Sequence, residues 1–505
     1  MEEQIKNETK RDSEGPDVSF SLNSPLLENT LLEHEIALKA KQKAEYDRAI
    51  FHLNDIVSSH ITMNILINEQ IKRNSTLPVN ISSIRVIGAH NVRQSFLKKV
   101  LFPLENNNAA DTLTSTLLSI KNRASQLEKF GIFEKISITI DQASSPLARK
   151  DDIDVIFHVK EKPRLWARTG TDLSNGEGSA YGSINIRNAF GGAENIQANI
   201  AFGTHTRSAF ETKITTPINS NPDSQFELSI FNISRDNYFY ASHEELLKGC
   251  IARFIWLSNL GLHDVSYNAI WRQINSLSLN ASPTIRLSAG NSFKSSITHT
   301  LTIDTRNDSL LPSSGFLFRT LQEVSSSIVL GSDTSFIKTE TEFSKATLLS
   351  SLKQIILNNT IRMGVLWGLD RKGTKINDRF YLGGATNVRG FYYNGLGPRD
   401  GNDAIGGDIY LASNTSIITP IPKLKQWPLK FQTFINTSSL LLLDKENLKE
   451  TVSELIYKPS IAAGIGLIYC HTIARLELNF CLPIATRVSD RARKGFQLGL
   501  GVQFM

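Results

Sequence analysis

The chain has 505 residues, of which 40% are hydrophobic and 21% are charged, and its formal net charge is +6 at pH 7. No run of 18 or more apolar residues occurs, which excludes a bundle of membrane-spanning helices. A membrane β-barrel is not excluded, because its strands alternate apolar and polar residues. The modest charge gives no nucleic-acid footprint, and three scattered cysteines predict neither a disulfide framework nor a zinc site.

Residues 1–75 are predicted to form a polar and helical extension that is partly disordered. Residues 1 to about 30 contain few large apolar side chains, which is typical of a disordered tail. From about residue 31 to residue 73, good helix formers predict one or two peripheral helices, and a solvated tail is the equal alternative. The acidic start has neither the apolar segment of a secretory signal nor the arginine-rich composition of a presequence, so we expect it to be uncleaved.

Residues 76–162 predict a small α+β module. Its segments are a strand at 81–88, helices at 92–101 and 112–129, and strands at 132–140 and 153–159. In the longer helix, Leu113, Leu117 and Ile120 begin an i, i+3, i+4 apolar pattern. The order β-α-α-β-β places the helices on one face of a sheet and leaves an open edge strand that can accept an extended peptide.

From residue 163 to residue 505 the helical period is replaced by strict alternation. In NIQANIAF (195–202), for example, the apolar residues fall on one side and the amides on the other. Runs of ~10 residues suffice to cross a bilayer when tilted, and we count about 16 of them. Long connections at 237–248, 370–406 and 441–458 alternate with short turns, as in an up-and-down membrane barrel. A soluble sandwich is the alternative, but sandwiches rarely extend over ~340 residues as one unit.

Several segments of this region resemble one known family. FYLGGATNVRGFYYNGLGP (380–398) resembles the loop signature of the outer-membrane barrel-assembly superfamily, an LGG turn followed by Val/Ile-Arg-Gly-Phe. Residues 298–319, residues 474–484 and the glycine-rich last strand resemble other segments of that family. The module resembles its polypeptide-transport-associated (POTRA) domain. With a single such domain and an acidic start, the chain is similar to the mitochondrial branch, the central barrel subunit of the sorting and assembly machinery (SAM complex).

The resemblance implies an all-β transmembrane barrel of about 16 antiparallel strands, preceded by one small α+β POTRA-like domain. It implies a multi-pass protein of the mitochondrial outer membrane whose POTRA-like domain lies in the intermembrane space. The implied function is that of an insertase for β-barrel precursors, which uses no cofactor and no metal. A polypeptide translocation channel of the same superfamily and a passive porin-type channel are the alternatives.

An enzyme is not expected, since the sequence contains no His-Glu-x-x-His, Gly-x-Ser-x-Gly, phosphate-loop or Cys-x-x-Cys motif. The partners that the resemblance implies are proteins and lipid, with no nucleic acid. They are unfolded β-barrel precursors with a C-terminal β-signal, other SAM-complex subunits, membrane lipid, intermembrane-space chaperones and inner-membrane contact-site complexes.

The resemblance implies that loop 370–406, the sixth loop of the family, folds back into the barrel lumen, where we expect it to form a latch. The latch residues are Gly383, Gly384, Val388, Arg389, Gly390 and Phe391. Its glycines let the backbone turn sharply, and an arginine removed from bulk water needs fixed acceptors. Asp408 is the first candidate acceptor and Glu477 the second. Asn436, which stands where many bacterial relatives carry an aspartate, is an uncharged third.

The first and last barrel strands are expected to form a lateral gate, because interior glycines weaken strand pairing. An incoming strand could pair with the opened edge by β-augmentation, since each exchanged hydrogen bond is worth only about 0.5–1.5 kcal/mol net. The predicted gate residues are Leu165, Trp166, Ala167, Arg168, Thr169 and Gly170 in the first strand and Gly495, Gln497, Gly499, Gly501 and Gln503 in the last. Residues 493–500 and 497–504 also have the form of a client signal, either because the chain is itself a client or because terminal barrel strands share this form.

Overall fold

A computed structural model describes residues 73–105, 112–144, 151–174, 177–350, 354–370, 373–421, 427–470 and 475–501, together with residues 69, 146, 148 and 149. The extension expected before residue 69, with its helices, lies outside the described residues, and so does Gln503. Among the described residues, contacts separate one compact unit, residues 69, 73–79 and 112–117, from a second unit that contains the rest. In the first unit, Pro78 and Thr112 form an isolated antiparallel bridge.

The second unit begins with a small sheet and two helices. In chain order these are β1 (Asn80–Ile87), α1 (Gln94–Glu105), α2 (Leu113–Lys129, within the second unit from residue 118 onward), β2 (Phe133–Gln142) and β3 (Asp152–Glu161). Strand β3 is central, parallel to β1 and antiparallel to β2. Leu104, Ile120, Leu127 and Phe157 are almost fully buried and form the core of this module. The order β-α-α-β-β agrees with the pattern of the sequence.

Sixteen further strands form one antiparallel sheet in which neighbours in the chain are neighbours in space. They are β4 (Leu165–Ser174), β5 (Glu177–Arg187), β6 (Asn195–Gly203), β7 (Thr206–Ile218), β8 (Asn221–Asp236), β9 (Glu244–Leu257), β10 (Leu262–Asn275), β11 (Gly290–Asp304), β12 (Gly315–Ser325), β13 (Phe336–Ser350), β14 (Ile355–Gly368), β17 (Ile409–Pro420), β18 (Leu429–Leu441), β19 (Ser460–Cys470), β20 (Arg475–Ala485) and β21 (Gly495–Gly501). The predicted barrel of about 16 strands is confirmed.

Smaller elements lie in the connections between these strands. They are α3 (Tyr238–Ala241), α4 (Pro283–Leu287), α5 (Ser327–Leu330), the hairpin β15 (Arg399–Asp400) and β16 (Asp403–Ala404), and α6 (Leu448–Tyr457). Within the part of the chain that the structure describes, no helix is both long and apolar enough to cross a membrane.

The two faces of the sheet differ in polarity, as β20 illustrates. Leu478, Phe480 and Leu482 point outward and are 39–46% exposed, whereas Glu477 and Asn479 point inward and are fully buried. Apolar residues outside and polar residues inside are the reverse of a water-soluble sheet. This arrangement fits a barrel whose outer face contacts lipid.

Connections alternate between the two ends of the barrel because all sixteen strands are antiparallel. The module end carries the β5–β6 turn, where Asn188 Nδ2 donates to the backbone oxygen of Asn91 (3.0 Å) and Arg93 N donates to the oxygen of Gly191 (2.8 Å). These contacts join the module to the barrel. The opposite end, which we call the loop end, carries the long connections predicted at 237–248, 370–406 and 441–458.

One connection at the module end is also long. Residues 305–314, between β11 and β12, bring Leu311 against Ile356, Ile418 and Ile468 on the inner wall. All four side chains are nearly or fully buried, so this side of the lumen is closed by apolar contacts at the module end.

Candidate functional site

The loop between β14 and β17, residues 369–408, enters the lumen and contacts the inner wall. Gly383, Gly384 and Gly390 have φ values of 116°, 118° and 91°, a backbone conformation that favours glycine. At Gly390 a Cβ atom would lie 2.5 Å from Cβ of Ala462 on β19. The glycine therefore lets the tip of the loop touch the wall directly.

Apolar side chains flank the tip on both sides. Val388 is 1% exposed and Phe391 is fully buried. They belong to one cluster with wall residues, among them Leu366 on β14, Leu440 on β18 and Ala462 on β19. Burying a side chain of this size contributes about 1.5–3 kcal/mol, so the cluster favours the inserted loop.

Arg389 lies between these two apolar residues and is 1% exposed. Its Nε donates to Oε2 of Glu477 (2.9 Å), and Nη2 lies 2.9 Å from the same oxygen. The guanidinium carbon stands 5.0 Å from the ring centre of Phe434, which provides a cation–π contact. Nδ2 of Asn436 donates to the backbone oxygen of Arg389 (3.2 Å). The arginine is therefore held by β18 and β20 together.

Glu477 is the centre of a buried polar network. It forms an ion pair with Arg475 in addition to the one with Arg389, and it accepts from Nε2 of Gln432 (3.1 Å) and Nδ2 of Asn479 (2.8 Å). Nη1 of Arg475 also donates to the backbone oxygen of Leu310 in the module-end connection (3.2 Å). One carboxylate thus connects the inserted loop with the connection that closes the module end.

Two expectations about the acceptor need correction. Asp408 does not receive Arg389, because it directly precedes β17 at the loop end, where its oxygens accept from Thr374 Oγ1 (2.6 Å) and Leu443 N (3.2 Å). Glu477, the second candidate, is the third residue of β20, which begins at the module end. Asn436 contacts Arg389 as a donor to its backbone and does not accept from its guanidinium.

The tip of the loop also pairs with the chain just before and within β21. Phe391 and Ala492 form an antiparallel bridge, and Arg493 N donates to the oxygen of Gly390 (2.9 Å). The amide of Gln497 accepts from Gly390 N (2.9 Å) and donates to the oxygen of Phe391 (3.0 Å). Gln497 was expected only as a gate residue, and its side chain additionally holds the loop.

The seam between β4 and β21 differs from every other strand boundary of the barrel. Some Cα atoms of the two strands lie within 8 Å of each other, but no ladder of backbone hydrogen bonds joins them among the described residues. Leu165 on β4 and Phe496 and Leu498 on β21 are 66–67% exposed. Both edges therefore adjoin without the pairing that closes the rest of the sheet.

The remaining predicted gate residues lie along the two edges. Arg168 contacts the ring of Tyr181 and Trp166 contacts Arg187, both within the β4–β5 pair. On the other side, the register of β20 and β21 places Gly495, Gly499 and Gly501 opposite Cys481, Glu477 and Arg475. The described residues contain no group of three or more side chains able to hold a metal ion.

The family model described as the Omp85 superfamily domain matches residues 188–504. The chain belongs to the Omp85 superfamily. The resemblance inferred from the loop signature is thereby confirmed.

The similar proteins of this Omp85 chain include SAM50 proteins. A SAM50-like protein of Schizosaccharomyces pombe is 40% identical over 447 residues, which cover 87% of this chain and 94% of that protein. The sorting and assembly machinery component 50 homolog of Homo sapiens is 32% identical over 394 residues, covering 75% and 81%. BamA of Haemophilus ducreyi, solved without POTRA domains 1–3, matches with a TM-score of 0.69 at 16% identity over 84% of this chain and 85% of that one. At this identity the structural match shows the fold alone.

A second anchor of the Omp85 loop was not predicted from the sequence. Oδ1 of Asp378 lies 2.6 Å from Nη1 of Arg272 on β10 and 3.6 Å from Nζ of Lys294 on β11, and the aspartate is 3% exposed. Lys338 on β13 donates to the backbone oxygen of Asp378 (3.2 Å). The loop is therefore fixed to opposite parts of the wall. The sequence offered one signal for this anchor, because cationic residues occupy inward positions of β10, β11 and β13.

Replacing Gly390 with alanine is expected to displace the tip of the Omp85 loop, because the added Cβ would meet Ala462 at 2.5 Å and φ is 91°. Overpacking and backbone strain each cost about 1–3 kcal/mol. Protease sensitivity of the loop in the membrane-inserted protein measures the displacement. Gly401→Ala is the matched control, since its φ is 59° and nothing lies within 4 Å of the added Cβ. Equal protection of both variants would show that the close approach at Ala462 does not hold the loop.

Proposed function

We propose that this chain folds β-barrel precursors and inserts them into the mitochondrial outer membrane through the seam between β4 and β21. The names of its relatives, components of a sorting and assembly machinery, support the assembly function. In this proposal the module end faces the intermembrane space, and the precursors carry a C-terminal β-signal. Other SAM-complex subunits, intermembrane-space chaperones and inner-membrane contact-site complexes are proposed partners.

The observation that carries the proposal is that no ladder joins the described residues of β4 and β21 at the seam. In hydrocarbon each unpaired backbone group costs several kcal/mol, so two adjoining edges without a ladder favour any strand that can pair with them. Exchanging hydrogen bonds of about 0.5–1.5 kcal/mol each is nearly neutral in free energy. Strand addition and release can therefore proceed without nucleotide.

The latch explains why only one edge would move. β21 is held to the loop by Gln497, and the segment before it pairs with residues 390–392. β4 pairs with β5, but among the described contacts it receives no such support from the loop. We propose that β4 supplies the edge that receives the last strand of a precursor and that the latch keeps β21 in place during this exchange.

Cysteine crosslinking with a precursor stalled during import tests the gate directly. Single cysteines at Ala167 or Thr169, in a chain whose native Cys250, Cys470 and Cys481 are replaced by serine, are expected to crosslink to the last strand of the precursor. Thr320→Cys is the control, since it lies within the laddered β12. Crosslinks at Thr320 but none on β4 would contradict a gate at this seam.

Depletion separates this function from the two alternatives. Membranes that lack the protein are expected to accumulate unassembled porin while helical membrane proteins insert normally. A passive channel predicts normal porin assembly. A translocation channel predicts that proteins crossing the membrane accumulate instead.

A further inference from the structure

A basic cavity opens at the loop end of the barrel, between α6, the β15–β16 hairpin and the connection from β20 to β21. Its volume is ≈ 850 Å³, which is large enough for a lipid headgroup. Four lining side chains are cationic and two are carboxylates. The cations are Arg399, Lys458, Arg487 and Arg491.

Arg399 and Arg491 are gathered at one point of the cavity by Asn402. Nη1 of Arg399 donates to the backbone oxygen of Asn402 (2.8 Å), and Nη2 of Arg491 donates to its side-chain oxygen (3.0 Å). Both arginines therefore bind neutral oxygens. Among the described residues, neither has a carboxylate oxygen within 4.0 Å.

The nearest acids are engaged elsewhere. Asp490 accepts from Gly397 N (2.8 Å) and from the hydroxyl of Ser460. Asp403 accepts from Ser282 N (2.8 Å). Two guanidinium groups thus face the cavity with no carboxylate in direct contact among the described residues. The charges of Asp490 and Asp403 only partly offset that of Arg399, so a bound anion is favoured.

Arg399 also has one donor without an acceptor. Its Nε is buried and has no hydrogen-bond partner. Burial, followed by the neighbouring charge of Arg491, holds the pKa of Arg399 below its ordinary value. An anion with several oxygens, such as a phosphate, would supply acceptors to both planar guanidinium groups.

The position of the cavity indicates the source of the phosphate. The outward row Leu478, Phe480, Leu482 and Ile484 on β20 runs up to its rim, and Val488 on the rim is fully exposed. An acyl chain can lie along such a row while its headgroup enters the cavity, whereas a soluble anion or an acidic peptide gains nothing from the row. We infer that the basic cavity binds the phosphate of an anionic lipid headgroup through Arg399 and Arg491, next to the start of β21.

Native mass spectrometry of the purified full chain in detergent, titrated with phosphatidylinositol, tests this site. Arg399→Gln/Arg491→Gln is expected to weaken binding about ten-fold or more, because two charge-assisted contacts are removed. Lys449→Gln/Lys494→Gln removes the same charge at the same end, outside the cavity lining, and is expected to change binding less than about two-fold. Equal weakening in both double variants would mean a diffuse electrostatic effect and would overturn the site.

Two further arms distinguish the sources of the anion. Inorganic phosphate and a glutamate-rich peptide are tested in place of the lipid. The assignment is overturned if the Arg399/Arg491 double variant loses affinity for phosphate or for the peptide but keeps its affinity for the lipid. Arg399→Lys/Arg491→Lys keeps both charges and is expected to retain intermediate affinity, so a folded variant is available if the glutamine pair unfolds. The lipid-binding measurement does not depend on precursor insertion, so it tests the cavity separately from the proposed function.

Discussion

Replacing Arg389 with alanine is expected to leave the barrel inserted and to slow precursor assembly roughly ten-fold, because the loop loses its ion pair with Glu477. Breaking a buried pair usually costs about 3–5 kcal/mol. The cost is smaller here because Arg475 continues to neutralise Glu477. The free energy that is still lost is sufficient to raise the population of the released loop roughly ten-fold. The measurement is the rate at which a radiolabelled porin precursor reaches its assembled form in isolated membranes.

Two variants control for this loss. Arg319→Ala removes an exposed arginine from β12, beside the same lumenal space, and is expected to assemble precursors at the normal rate. Arg389→Lys keeps the charge but cannot present a planar fork to one carboxylate, so we expect an intermediate rate. Normal assembly by Arg389→Ala, at normal protein level, would remove the latch from the mechanism.

Sealing the seam is expected to stop insertion almost completely. In a background without native cysteines, Thr169→Cys on β4 and Leu498→Cys on β21 are joined by a short bis-maleimide that contains a disulfide. With both edges tied together no precursor strand can pair with β4, so assembly should fall by a factor of about ten or more. Reductant cleaves the linker and is expected to restore assembly in the same membranes.

The matched control joins two strands that already form a ladder. Thr320 and Thr341 face each other across β12 and β13, and the same linker between cysteines at these positions leaves the seam free. This crosslink is expected to have little effect. Continued insertion through a fully sealed β4–β21 boundary would place the exchange elsewhere on the barrel.

Much of the architecture follows from short-range sequence patterns. Alternation in segments such as NIQANIAF produces one apolar and one polar face, and a strand with an apolar outer face is stable only against lipid. The strand count, the position of the inserted loop between β14 and β17 and the grouping of the long connections at one end all follow from this local signal together with the breaks between strands.

The identity of the acceptor of Arg389 could not be obtained in the same way. Asp408 is closer in sequence and ends the loop, which favoured it in the sequence analysis. The choice between Asp408 and Glu477 depends on how deeply the loop enters the lumen, and that depth is set by the close approach of Gly390 to Ala462 and by the packing of Phe391. Gly390 and Ala462 are 72 positions apart, so no short-range pattern reveals their contact.

The amino-acid sequence by itself determined the class of this protein: a lipid-facing barrel with one small α+β module and, through the resemblance of its loop signature, an inward loop that carries Arg389. Its periodicity and turn residues act over a few positions, so they can be recognised in the sequence without knowledge of the fold. Only the tertiary structure decided that Glu477 joins Arg389 to Arg475, that Gln497 holds the loop to β21, and that no ladder joins the described parts of β4 and β21. These contacts depend on register and depth inside a closed sheet, where distant segments meet because the barrel wraps around the loop.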